Sequence, residues 1–185
     1  MANEKKEIIK VGFILFAITA VAALVLAVVN NFTAPVILEN NKKAQEIAMK
    51  KVLAEAETFS LAEFNPIDGN SATELYIADG AGAVVKVSPS GYGGKIDMVV
   101  GVDNDLKVTG VEIISQGETA GLGSNCTNDD FRAQFVGKSS GIKVVKNGAK
   151  ENEIDAISSA TVTSKAVTKG VNDALAVAES MMGGK

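Results

Sequence analysis

Asp155-Ala-Ile-Ser158-Ser159-Ala160-Thr161-Val-Thr163-Ser164-Lys-Ala-Val167 crowds five side-chain hydroxyls into thirteen residues. Beyond it, Val167, Val171, Ala174, Leu175, Ala178 and Met182 recur three or four apart, the spacing of an amphipathic helix. Ser158 to Ser164 therefore precede or open the first turn of that helix. A helix start offers unpaired backbone N–H groups and the positive end of the dipole, so it can hold a phosphate without any basic side chain. It is also where Ser and Thr serve as ordinary caps, and on helix logic alone both readings stand.

Upstream of this helix the pattern is strand-like. The runs Glu74 to Ala78, Ala83 to Ser88, Lys95 to Val102 and Lys107 to Ser115 are separated by Gly, Asn and Asp turn residues, and Asp103-Asn104-Asp105 is a hairpin signal. Gly141 to Val145 reads as one more strand. Thr127-Asn-Asp-Asp130 ahead of Phe131 and Phe135 reads as a short helix capped by Thr127, with Asp130 in the place of the capping-box acid. A helical pattern covers roughly Asn40 to Glu57, with Ile47, Val52, Leu53 and Ala56 on its apolar face. Strands in succession with helices segregated from them predict an α+β domain, an antiparallel sheet with flanking helices.

The N-terminal part is of another kind. Val11 to Val29 contain no charged residue, and nineteen residues at ~1.5 Å rise nearly cross a hydrocarbon layer of ~30 Å. The run is too long and lacks the small-x-small site of a cleaved signal, so it is expected to stay as one transmembrane helix. Lys5, Lys6 and Lys10 lie before it, with Lys10 directly against it, which by the positive-inside rule favours a cytoplasmic N-terminus. The expected organisation is residues 1–10 in the cytoplasm, 11–30 in the membrane, 31–57 a connector around Pro35 followed by a helix, and 58–185 the folded domain.

Composition removes several function classes. A net charge of −4 gives no basic face for nucleic acid. There is no His, so a Ser-His-Asp hydrolase cannot be assembled. The single Cys126 forms no internal disulfide and by itself holds neither a structural zinc nor an iron–sulfur cluster. Gly91-Tyr92-Gly93-Gly94 lacks dinucleotide-loop spacing, no Walker loop exists, and the scattered acids lack EF-hand spacing. No catalytic residue and no metal ligand is expected.

Three segments carry a family resemblance. Asp155-Ala-Ile-Ser158-Ser159-Ala160-Thr161 resembles the flavinylation motif of extracytoplasmic FMN-binding domains, Asp-x-x-Ser/Thr-Gly-Ala-Thr, with Ser159 in place of the usual Gly. Ser90-Gly91-Tyr92-Gly93-Gly94-Lys95 resembles the strand entrance of the G subunit of the Rnf complex and of its relative, the C subunit of the sodium-pumping quinone reductase. Glu118-Thr119-Ala120-Gly121-Leu122-Gly123 resembles a Glu-Thr-Pro-Gly-Leu-Gly loop of the same proteins, with Ala120 in place of Pro. In this order the motifs span essentially the whole chain, with the Rnf G subunit the better match.

The resemblance implies one covalent FMN per chain, esterified through its phosphate to Thr161 by a flavin transferase. Ser158, Ser159, Ala160 and Thr163 would surround the phosphate. Glu118 and Thr119 would bond the ribityl chain or ring edge, Gly121 and Gly123 would let backbone approach, and Leu122 and Tyr92 would pack on the ring. It further implies an electron-carrier subunit without independent catalysis, in a bacterial or archaeal cell membrane, with its domain outside the cytoplasm. Its partners would be the lipid bilayer and the other membrane subunits of an ion-translocating ferredoxin:NAD+ oxidoreductase, one bearing its own covalent FMN and a pair enclosing an iron–sulfur centre. The alternatives are the flavin subunit of the quinone reductase and a membrane-tethered assembly module without flavin.

Overall fold

The computed structural model describes residues 2–183. The chain divides into two compact units, 1–43 and 44–185. Helix α1, Ala2–Val52, supplies the first unit and, from Ala44 onward, the opening of the second. Its most apolar eighteen-residue window reaches a mean hydropathy of 2.8 with none of it buried, which makes it long and apolar enough to cross a bilayer.

The connector expected around Pro35 is instead helical. Pro35 lies inside α1. A proline removes one backbone bond and crowds the preceding turn, which is a local loss, whereas helix propagation is cooperative across the good helix formers on either side. Thr33 adds a hydroxyl bond to the carbonyl of Val29 at 3.0 Å, four residues back.

The second unit is built on a five-stranded antiparallel meander: β1 (Ser60–Ala62), β2 (Ala72–Ala78), β3 (Gly82–Val87), β4 (Ile96–Val102) and β5 (Val108–Gln116), paired in chain order. The strand order follows from short turns. Between β4 and β5 the Asp103 carboxylate accepts the amides of Asp105 and Lys107, both at 2.9 Å, which closes the expected hairpin. The central strands are buried almost throughout, because both faces of the sheet are covered. On one face Val85, Val87, Met98 and Val100 join Val167, Val171, Ala174 and Leu175 of the closing helix α3, Thr161–Met182. On the other face Val84, Val99 and Ala78 join Ala48, Met49, Val52 and Leu53. This is the predicted α+β class.

Four details differ from expectation. Ile47 is exposed, and Ala48 and Met49 take the inward positions, since α1 is in register with Val52 and Leu53 rather than with Ile47. Thr127 does not cap α2, Asp129–Ala133. It ends a 3-10 turn, Gly123–Thr127, and donates to the Ser124 carbonyl at 2.9 Å, so the capping position falls to Asn128. The strand expected at Gly141 to Val145 is the shorter β6, Lys143–Val145. It pairs in parallel with β7, Glu153–Asp155, whose three residues are too few for a periodic signal. That pairing delivers Asp155 and the hydroxyl-rich loop to the start of α3.

Candidate functional site

The first residue of α3 is Thr161, preceded by Ala160 in the capping position with no side-chain cap. Ala160 is an unusual choice where Ser, Thr, Asp or Asn normally satisfy the orphan amides. As a result the backbone N–H groups of Thr161, Val162 and Thr163 have no partner among the described residues, and the intrahelical bonds begin with Ser164 N–H to Ala160 O at 3.0 Å. The Ser164 hydroxyl is spent locally. Ser164 donates to the Ala160 carbonyl at 3.0 Å and accepts the Ile157 amide at 2.9 Å, which folds the loop back on the helix. Asp155 accepts the Ala149 amide at 3.0 Å, so its carboxylate serves a neighbouring turn.

Ser159 sits at φ +61, in the left-handed region. Glycine occupies such a position without penalty, which accounts for the Gly of the flavinylation motif. Ser159→Gly should stabilise the 44–185 unit by about 1 kcal/mol, the usual cost of a Cβ in that region. The check is a higher denaturant midpoint at unchanged slope; an equal or lower midpoint would show that the serine bears no strain.

Thr161 opens onto a cleft of about 630 Å³ lined by Tyr92, Glu118, Thr119, Leu122, Gly123, Ser159, Ala160, Thr161, Val162 and Thr163. Nine of these ten were named from sequence. Ser158 is exposed and Gly121 lies on the surface, and neither lines the cleft. Gly121 instead serves a turn. Leu122 N–H donates to Thr119 O at 3.1 Å, and Gly121 at the third position takes φ +74, as a type II turn demands. Proline is favoured at the second position of that turn, where this chain has Ala120.

The tenth lining residue, Val162, was missed by sequence reading. Its neighbour on the motif was the only signal, because an apolar residue in a first helical turn reads as core. Here Val162 is 54% exposed, beside Tyr92 at 75% and Leu122 at 43%. Three exposed apolar side chains around one hydroxyl make a surface on which a planar aromatic group can lie.

Glu118 and Thr163 are disposed otherwise than expected. Glu118 is 8% exposed and Thr163 1%. The Thr163 hydroxyl donates to Glu118 Oε2, and the Gly93 amide donates to Glu118 Oε1 at 2.8 Å. Burial pushes the Glu118 carboxyl up, yet the bonds from Thr163, Gly93 and Tyr92 outweigh it and hold the group below the usual carboxylate range. Gly123 is required by close approach, since a Cβ there would lie 2.7 Å from Thr163 Oγ1 and 2.8 Å from Glu118 Oε2. The cleft floor is thus knitted together by protein contacts, and the hydroxyl expected to meet a phosphate at Thr163 faces inward.

Residues 91–176 match the family described as FMN-binding domain, and residues 1–52 match the RnfG N-terminal region. The G subunit of the Na(+)-translocating ferredoxin:NAD(+) oxidoreductase complex of Acetobacterium woodii is 37% identical, over 95% of this chain and 94% of that one. The G subunit of the proton-translocating complex of Clostridium ljungdahlii is 35% identical, over 89% and 88%. In fold, the chain is similar to the crystal structure of the C subunit of the Na(+)-translocating NADH-quinone reductase from Parabacteroides distasonis, with a TM-score of 0.57 and 21% identity over 80% of this chain and 94% of that one. The quinone-reductase protein is accordingly a relative in architecture, while similarity along nearly the whole length lies with the ferredoxin-linked complex. By that similarity the chain belongs to the RnfG family, the G subunits of the ion-translocating ferredoxin:NAD+ oxidoreductase, or Rnf, complex.

Proposed function

We propose that this chain is the membrane-anchored electron-carrier subunit of an Rnf-type complex and holds one FMN by a phosphoester on Thr161. The observation that carries the reading is the conjunction at the start of α3: an exposed hydroxyl on the first helical residue, three unpaired amides around it, and an apolar surface alongside. The donors suit a phosphodiester, which a helix start binds through backbone N–H groups and dipole. Tyr92, Leu122 and Val162 suit the ring, and Thr119 stands at the rim where a ribityl hydroxyl would pass. Bound there, FMN supplies reversible electron transfer that no side chain of this chain provides.

Attachment requires an activated donor, because ester formation from free phosphate and an alcohol is unfavourable in water. Thr161 Oγ1 bonds to the phosphorus of an FMN phosphoanhydride, the anhydride P–O bond breaks, the second phosphate leaves, and the hydroxyl proton passes to the transferase or to solvent. The result is a chain heavier by one FMN less one water. Intact mass, and flavin fluorescence that stays with the polypeptide after denaturation, test the reading together; a chain from the assembled complex that releases all its flavin on denaturation would overturn it.

The partners in this reading are the other membrane subunits of the complex, the flavin transferase during maturation, and the bilayer around residues 11–30. The chain is a single-pass membrane protein of such a complex. We place its N-terminus in the cytoplasm and residues 44–185 outside, in keeping with Lys5, Lys6 and Lys10 ahead of the apolar run. A permanent bond also suits a compartment in which lost FMN is not replaced. Cys126 is fully buried, and burial, with the Glu118 charge adding to it, pushes its thiol up to about 11, so the native chain should be silent to thiol reagents. Asp105→Cys, in an exposed turn, should then be labelled by an impermeant reagent in cells stripped to the inner membrane. Labelling only after that membrane is breached would reverse the orientation.

A further inference from the structure

Glu118 is a buried carboxylate with no Lys or Arg in salt-bridge range among the described residues. Such a group is costly to bury and is retained only where hydrogen bonds replace water. Its bonds reach two different walls of the cleft: Gly93 in the turn before β4, and Thr163 in the first turn of α3, 45 residues away. Gly91 and Gly123 leave the space it fills, since a Cβ on Gly91 would fall 2.4 Å from Oε1 and one on Gly123 2.8 Å from Oε2. The helix it touches has Ala160 at its cap and no cap bond of its own.

These facts fit together in one way. A helix start is stabilised by a nearby anion, and also by a cap of the usual kind, whose side-chain oxygen consumes the first amides. Glu118 supplies the anion from another element and through the Thr163 hydroxyl. The amides of Thr161, Val162 and Thr163 thereby stay free, and the helix start stays fixed against the Gly93 turn. We propose that Glu118 is a positioning residue that caps α3 from across the cleft, so that Thr161 and the free amides are held ready to receive the FMN phosphate. This rests on the attachment reading above.

The test is made on the full-length chain, with the flavin transferase and its FMN donor, by following the initial rate of adduct formation and mapping the modified residue by peptide mass. Glu118→Gln keeps the shape but gives up the charge and one acceptor. Thr163→Val keeps the volume but gives up the donor. Each should slow attachment by about 10- to 100-fold, the cost typical of a misplaced reacting group. The loss should fall on kcat, with little change in KM for the chain, because both side chains are buried and offer little surface to the transferase. The double variant should be no slower than the slower single by more than about twofold, since both act through one bond. Thr163→Ser, which retains the hydroxyl, should restore most of the rate and keeps the question open to decision if Glu118→Gln fails to fold.

Wild-type rates in both Glu118→Gln and Thr163→Val would overturn the proposal, as would multiplicative losses in the double variant or a Thr163→Ser chain as slow as Thr163→Val. A wild-type chain that gains no FMN at Thr161 is a different result: it defeats the attachment reading itself, and this inference with it.

Discussion

Thr161→Ala yields a chain without covalent flavin: its intact mass is that of the bare polypeptide, and after denaturation it is neither yellow nor fluorescent. The effect should be complete, because no neighbouring hydroxyl can substitute. Thr163 is buried and donates to Glu118, and Ser164 is buried between Ala160 and Ile157. Ser158 lies outside the cleft, and Ser159 precedes the helix in a left-handed residue. Thr161 is itself exposed and its hydroxyl holds nothing else in place, so the variant should lose no more than about 0.5 kcal/mol of stability. Loss of the adduct in a folded chain is then a statement about chemistry. Thr161→Ser restores the nucleophilic oxygen and should recover part of the adduct. A full adduct in the alanine variant, mapped to Ser159, would transfer the acceptor role two residues upstream.

Most residues that line the cleft were legible in the sequence, chiefly through the motifs they share with the FMN-binding family. Helix periodicity after Val167 placed the start of α3 in the Ser158 to Ser164 stretch, whereas the Gly-flanked Tyr92 and the Glu118 to Gly123 loop are ordinary turns by composition and were marked out by the family motifs they resemble. What the residues did not show is how these loops bond to one another. A Glu next to a Thr in a glycine-rich loop has the look of a ligand-facing pair. Only the fold reveals that Glu118 turns inward to Thr163, 45 positions on, and that Gly123 is small on that account. Val162 was overlooked for the opposite reason, since exposure of an apolar residue is a property of what fails to cover it. The N-terminal boundary was misread because Pro35 and the Asn residues are breakers by propensity, and propensity is a weak prior against a long cooperative helix.

That boundary carries the other large effect. A soluble fragment of residues 44–185 should fold, whereas residues 58–185, which the sequence marks as the domain, should not. The last turns of α1 cover one face of the sheet: Ala48, Met49, Val52 and Leu53 are each at most 4% exposed, against Val84, Val99 and Ala78. The paired Gly101 and Gly110 of β4 and β5 form a notch for Val52, where a Cβ on Gly101 would come within 2.5 Å of the Val52 carbonyl. Polar contacts fasten the same segment, with Gln45 Nε2 donating to Glu74 at 2.8 Å, Lys51 paired to Glu112 at 2.9 Å, and the Thr109 hydroxyl donating to the Val52 carbonyl. Removing the segment forfeits the burial of Met49, Val52 and Leu53 alone at about 1.5–3 kcal/mol each. Against a total stability of about 5–15 kcal/mol, that loss removes at least about a third of the margin and up to all of it. It also bares Val84 and Val99 on strands whose apolar faces would then seek other chains. Circular dichroism and size exclusion of the two fragments decide the matter. A monomeric 58–185 with a cooperative thermal transition equal to that of 44–185 would show that the end of α1 merely rests on the sheet, and that the domain's core is complete without it.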